Sequence, residues 1–202
     1  MKRKIICVTG PMAAGKNLVS SILEKKGFLT VDADILVHTA IENSRDLILK
    51  TFGTLADDLK INLLTQENKI NRRALGKLIF SKPDLIKKQE DIVYPEVDRL
   101  IKNFIEQNKE SSIAINATLL YKISSFNFVE HVLYVDCPKI IRFFRAKKRD
   151  LMKSKQILER FRAQKNLFAK YKNSNADTVR VWNVGSRKSL EKKIDAFISR
   201  CR

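Results

Sequence analysis

The stretch Ile5-Ile6-Cys7-Val8-Thr9-Gly10-Pro11-Met12-Ala13-Ala14-Gly15-Lys16-Asn17 decides the fold. Its first part is a short unbroken apolar run, the pattern of a strand covered on both faces. The run ends in Thr9-Gly10-Pro11, and a helix is predicted from about Asn17 to Lys26. Gly27 stops that helix, because glycine readily takes the left-handed backbone that ends helices. Phe28-Leu29-Thr30-Val31 then reads as a second strand that closes at Asp32. Strand, loop, helix and strand within the first ~32 residues open a parallel α/β sheet.

Between the first strand and its helix, Gly10 to Lys16 matches G-x-x-x-x-G-K. Glycines let the backbone bend until successive N–H groups point at phosphate oxygens. The helix N-terminus adds partial positive charge, and Lys16 is placed to reach the outer phosphates. A bare match also occurs in ordinary Gly-containing turns; its place between a predicted strand and a predicted helix gives it weight. The next position normally carries a Ser or Thr whose hydroxyl ligates Mg²⁺. Here it is Asn17, whose side-chain oxygen suits either a hard cation or a helix cap.

Asp32-Ala33-Asp34 follows the second strand. In a doubly wound sheet, ligands bind beyond the carboxyl ends of the strands. Two acids there divide the work: one orients Mg²⁺ through water, the other takes a proton from an attacking hydroxyl. The plainer alternative is that one of them caps the helix beginning near Ile35.

Further strands are predicted at Ile113–Ile115, Val132–Val135 and Thr178–Trp182. Residues between Ile35 and Glu110 read as mostly helical. Val97, Leu100, Ile101, Phe104 and Ile105 repeat at helical spacing, as do Leu190, Ile194, Phe197, Ile198 and Cys201. The fold class is therefore α/β: about five parallel strands with helices on both faces. A single domain over 1–202 is expected, with a helical section at about 60–110 as a candidate substrate (acceptor) lobe and a candidate lid at about 142–165. Arg142, Arg145 and Arg149, spaced by three and four, share one face of a helix. That face is either a solvated basic surface or a phosphate-facing one.

Composition bounds the rest. With 202 residues, 44% hydrophobic and 31% charged, the chain can bury a core and is too apolar for wholesale disorder. No apolar run approaches the ~18 residues of a membrane span, and the basic N-terminus lacks a signal-peptide apolar stretch. Three cysteines without a C-x-x-C pair and two histidines exclude a structural zinc site and fit reduced thiols in the cytoplasm. The net charge of +18 attracts polyanions. Because the basic residues are spread along the chain, no specific nucleic-acid partner and no membrane partner are expected.

On these residues the chain resembles the dephospho-CoA kinase family of P-loop kinases over nearly its whole length. Val8-Thr9-Gly10 to Gly15-Lys16 and Asp32-Ala33-Asp34 match the family's opening pattern. Arg72-Arg73-Ala74-Leu75 to Ile79-Phe80 is similar to its middle pattern. Arg160-Phe161-Arg162-Ala163-Gln164, Ala176-Asp177 and Asn183-Val184-Gly185 resemble its late motifs in order and spacing. The resemblance implies transfer of the ATP γ-phosphate to the ribose 3′-hydroxyl of dephospho-CoA, the step that completes coenzyme A. It implies ATP held by Gly10, Ala13, Ala14, Gly15, Lys16, Asn17 and Leu18, with Asn183 near the adenine. It implies Mg²⁺ near Asn17 and Asp32, and catalysis by Lys16, Asp34, Arg145 and Arg149. Asp34, Arg72 and Tyr94 fall at acceptor-binding positions.

The sequence departs from the family at three places: Asn17 replaces a Ser, Tyr94 before Pro95 replaces a His, and Thr118-Leu119-Leu120-Tyr121-Lys122 lacks the family's proline and glutamate. These departures keep two other readings open. One is a P-loop kinase for another small hydroxyl acceptor; the other is a nucleotide- or RNA-binding relative with weakened catalysis.

Overall fold

The computed structural model describes residues 3–80, 82–150 and 153–201. The chain divides into two compact units, one running up to Asp32 and again from Asn108 onward, the other spanning Ala33–Gln107.

The first unit contains five strands: β1 (Ile5–Thr9), β2 (Leu29–Asp32), β3 (Ile113–Asn116), β4 (His131–Asp136) and β5 (Asp177–Trp182). They form one sheet in the order β2-β3-β1-β4-β5, and every pairing is parallel. β1 lies at the centre, with Cys7 opposite Ile115 on one side and Val132 on the other. All five of its residues are buried, which explains why its sequence is a continuous apolar run rather than an alternating one.

Helices cover both faces. On one, α1 (Lys16–Lys25) and α9 (Arg187–Arg200) lay Val19, Ile22, Leu23, Leu190, Ile194 and Phe197 over Ile6, Val8, Leu133 and Val135. Each fully buried aliphatic side chain there stabilises the unit by about 1.5–3 kcal/mol. The stripe expected at Leu190, Ile194, Phe197, Ile198 and Cys201 is this contact. On the other face, α8 (Leu167–Lys172) sets the Phe168 ring 4.9 Å from that of Tyr134 and buries Tyr171 completely. Between β4 and α8 run α6 (Lys139–Asp150) and α7 (Ser154–Ala163). Together they span most of the segment expected as a lid, with α6 beginning ahead of it; residues 151 and 152 fall outside the described ones.

The second unit is helical: α2 (Ala33–Asn43), α3 (Arg45–Asp58), α4 (Arg72–Ile79) and α5 (Pro83–Gln107). α5 packs against the other three through a stripe of Val93, Val97, Ile101 and Ile105. Of the apolar positions expected to form this stripe, Val97, Ile101 and Ile105 are fully buried, while Leu100 and Phe104 flank it half-buried.

Candidate active site

The loop between β1 and α1 is built from three residues with positive φ. Gly10 has φ 148°, and a Cβ there would lie 2.1 Å from the Val135 carbonyl oxygen, so the end of β1 packs flush against β4. Ala13 has φ 61° despite its side chain, and Gly15 has φ 103°. The Ala14 N–H donates to the Pro11 carbonyl at 3.1 Å and closes the turn between them. α1 starts directly at Lys16. Its cap is Gly15, which has no side chain to occupy the first-turn amides, so that positive helix end faces the loop. Asn17 is therefore not the cap. Lys16 folds back along the loop, its Nζ donating to the Gly10 carbonyl at 3.2 Å.

Asn183, just past β5, braces this loop from the side. Its backbone N–H donates to the Asp136 carbonyl at 2.7 Å, and its Nδ2 donates to the Ala14 carbonyl at 2.7 Å. With Asn183 fixed from both ends, its position is set by the β4–β5 edge of the sheet. Ala13, Gly15, Leu18, Arg145, Arg149 and Asn183 line a single cleft of about 610 Å³. Six positions chosen from sequence thus meet on one concavity.

The arginine face of α6 turns inward at its start. Arg142 is buried, donating through Nε to the Cys137 carbonyl at 3.0 Å, with its guanidinium 4.4 Å from the Phe161 ring centre. Burial pulls its pKa down from the usual arginine value. Arg145 lies half-buried, with Nη1 3.5 Å from Cys137 Sγ and Nη2 3.5 Å from the Asn183 carbonyl oxygen. Arg149 is exposed at the rim of the cleft. The three residues therefore grade from structural anchor to solvent-facing cation.

At the carboxyl ends of β2 and β3, Asn116 joins two residues singled out above. Its Nδ2 donates to Asn17 Oδ1 and to Asp32 Oδ2, each at 3.0 Å. One amide thus draws the side-chain oxygens of Asn17 and Asp32 toward one nitrogen. Among the described residues no group of three or more His, Cys, Asp or Glu side chains is placed to hold a metal. One carboxylate and one amide oxygen fit Mg²⁺ nonetheless, because that ion keeps much of its water and takes its other ligands from nucleotide phosphates.

In the helical unit, Asp34 lies in the first turn of α2, which starts at Ala33, directly after Asp32. Arg72 is the first residue of α4, whose N-cap is Asn71, with Oδ1 accepting from the Ala74 N–H at 3.1 Å. Arg72 lines a cleft of about 1330 Å³ together with His38, Glu42, Lys69 and Arg73. Tyr94 sits on α5, its hydroxyl donating to Glu90 Oε1 at 2.9 Å.

The family model for dephospho-CoA kinase matches residues 4–186. The chain belongs to the dephospho-CoA kinase family. It is 37% identical to a dephospho-CoA kinase of Treponema denticola over 194 residues, covering 94% of this chain and 86% of the relative. It is 34% identical to that of Treponema pallidum, covering 97% and 94%. A crystal structure from Thermus thermophilus superposes with a TM-score of 0.80 at 27% identity, covering 100% of both chains. Dephospho-CoA kinases are phosphotransferases that use ATP for the last step of coenzyme A biosynthesis, and the all-parallel five-stranded sheet is the P-loop kinase core that this chemistry employs. Three residues of the site carry no sequence signal of their own: Asn116, Gln164 and Lys148, the last lining the cleft beside Arg149. Asn116 gives no signal, because a lone Asn at a strand end is common. Gln164 stands in a recognisable motif, but its partner lies 152 positions away.

Proposed function

We propose that this chain transfers the γ-phosphoryl group of ATP to the ribose 3′-hydroxyl of dephospho-CoA, in the cytoplasm. The observation that supports the reading is the convergence of the phosphate loop, the open N-terminus of α1 and the arginines of α6 on one cleft. Among the described residues no helix is long and apolar enough to cross a membrane.

In this reading the triphosphate lies along Gly10 and Ala13–Leu18. The amides of the first turn of α1 face its oxygens, and Lys16 moves from the Gly10 carbonyl to the outer phosphates. Ala14 contributes by shaping the loop, since its amide closes the turn to Pro11. Asn183 holds the loop and borders the adenine. Arg145 and Arg149 offset the charge of the moving phosphoryl group. Asn17 and Asp32 are the residues that would hold Mg²⁺, which when bound neutralises charge on the phosphate oxygens. Asp34 takes the proton of the 3′-hydroxyl as its oxygen bonds to the γ-phosphorus. The bond from that phosphorus to the β–γ bridging oxygen breaks, and ADP leaves. Arg72 and Tyr94 serve the acceptor in a helical acceptor lobe, and α6–α7 serve as the lid. Closure of such a lid excludes water and suppresses wasteful ATP hydrolysis.

The test is ADP release from Mg·ATP with and without dephospho-CoA, beside a panel of nucleosides. The expected result is ADP formed in step with dephospho-CoA consumed, and with none of the nucleosides. Equal turnover with a nucleoside, or none with dephospho-CoA, overturns the reading.

A further inference from the structure

Met12 lies inside the phosphate loop yet is held almost entirely by the α6–α7 arm. Its backbone N–H donates to Gln164 Oε1 at 2.8 Å, and its carbonyl oxygen is 3.5 Å from Arg142 Nη1. Its side chain is buried with Ala146 and Ile157, against Phe143 and Phe161. Arg160 Nη1 approaches its sulfur at 3.8 Å. Arg160 and Gln164 are one helical turn apart, so the spacing of the Arg160-to-Gln164 motif delivers both side chains to the same loop residue. Gln164 itself is fixed as the C-cap of α7, its N–H on the Arg160 carbonyl at 3.2 Å.

The next residue explains why such a hold is useful. Ala13 has φ 61°, and a left-handed backbone costs a non-glycine residue about 1–2 kcal/mol. Such a conformation persists only where its surroundings over-determine it. Ala13 is anchored on both sides by carboxamides: Gln164 grips the Met12 N–H before it, and Asn183 grips the Ala14 carbonyl after it. The Met12 amide is engaged by Gln164 and the Ala14 amide by Pro11, so the residues on both sides of Ala13 are tied down.

We propose that Gln164 is a positioning residue for nucleotide binding: by holding the Met12 amide, it fixes the bend at Ala13 and so couples the α6–α7 arm to the grip on the triphosphate. The inference rests on the reading that this loop binds ATP.

The experiment compares Gln164→Met, of similar shape but with no acceptor oxygen, with Gln164→Glu, which keeps one. Binding of a non-hydrolysable ATP analogue to the full chain is measured by calorimetry, and KM is measured for ATP and for dephospho-CoA. The expected result is a fall in analogue affinity of about 5–10-fold for Gln164→Met, the worth of one hydrogen bond. The KM for ATP rises in parallel, that for dephospho-CoA stays unchanged, and Gln164→Glu binds more tightly than Gln164→Met. Wild-type affinity in Gln164→Met, equal losses in the two variants, or a matching rise in the KM for dephospho-CoA overturns the proposal. Analogue binding needs no acceptor, so a wild-type chain that fails to bind the analogue overturns the kinase reading itself. A wild-type chain that binds it, with Gln164→Met its equal, overturns only the role of Gln164.

Discussion

The Nδ2 of Asn183 occupies the space that a side chain on Gly15 would need: a Cβ on Gly15 would lie 2.1 Å from it. The same nitrogen donates to the Ala14 carbonyl at 2.7 Å. The glycine is thus required twice, by its φ of 103° and by the approach of Asn183. Asn183→Ala removes the donor from a buried carbonyl, a loss of about 1–3 kcal/mol. The expected outcome is a Tm lower by several degrees and nucleotide affinity weakened about tenfold, read by thermal melting and calorimetry. Asn183→Asp, which keeps the shape and replaces the N–H donor with an oxygen, is expected to be at least as damaging. Wild-type behaviour in Asn183→Asp would show that shape and not the hydrogen bond holds the loop.

Asp34→Asn separates proton transfer from nucleotide binding. Loss of a positioned base typically costs 10²–10⁴ in rate. The expected outcome is a kcat lower by about 100-fold or more, with ATP analogue affinity within about twofold of wild type. A kcat near the wild-type value removes Asp34 from the mechanism.

Asn17 carries the third prediction. Its side-chain oxygen accepts from Asn116, which also donates to Asp32. Asn17→Ser restores the hydroxyl that P-loop enzymes use toward Mg²⁺. The expected outcome is a lower Mg²⁺ concentration for half-maximal rate. Because Asn116 loses one acceptor, a Tm lower by a few degrees is expected as well. An unchanged or higher Mg²⁺ requirement would show that Asn17 does not weaken the metal site.

The parts of this molecule that sequence reveals are those encoded by neighbours in the chain. The apolar run at Ile5–Thr9, the glycines around the loop and the amphipathic stripe of α9 are local patterns, and each leads directly to an element and its buried face. The parts that sequence hides are long-range side-chain bonds. Nothing near Asn116 announces that it joins Asn17 to Asp32, and nothing near Gln164 announces Met12. Arg142, Arg145 and Arg149 illustrate the boundary. Their spacing fixes a common helical face, but only packing shows that Arg142 is buried while Arg149 stays in solvent.

Cys7 gives the last prediction, one of stability against pH. It lies at the centre of the sheet with no exposed surface, and burial pushes its thiol from an ordinary value of 9.0 up to about 12. Cys201 is pushed the same way, to about 11, and Cys137 also rises, in both cases mainly through burial. In the unfolded chain these thiols ionise near 9.0, whereas in the folded chain Cys7 and Cys201 stay protonated well beyond it. Above pH 9 the unfolded state therefore binds fewer protons than the folded state, and stability falls with rising pH. This stabilisation is fully present below 9 and is lost progressively as pH climbs toward 12. Each such thiol contributes a slope of at most about 1.4 kcal/mol per pH unit. Cys7→Ala is expected to lose about 1 kcal/mol at neutral pH through poorer packing. Its stability should then decline less steeply than that of the wild type between pH 9 and 11, in urea denaturation at each pH. Thiol reagents at neutral pH should modify the folded protein slowly and the urea-unfolded protein fast. Equal alkaline slopes in the two proteins would show that the Cys7 thiol ionises as readily in the sheet as in the open chain.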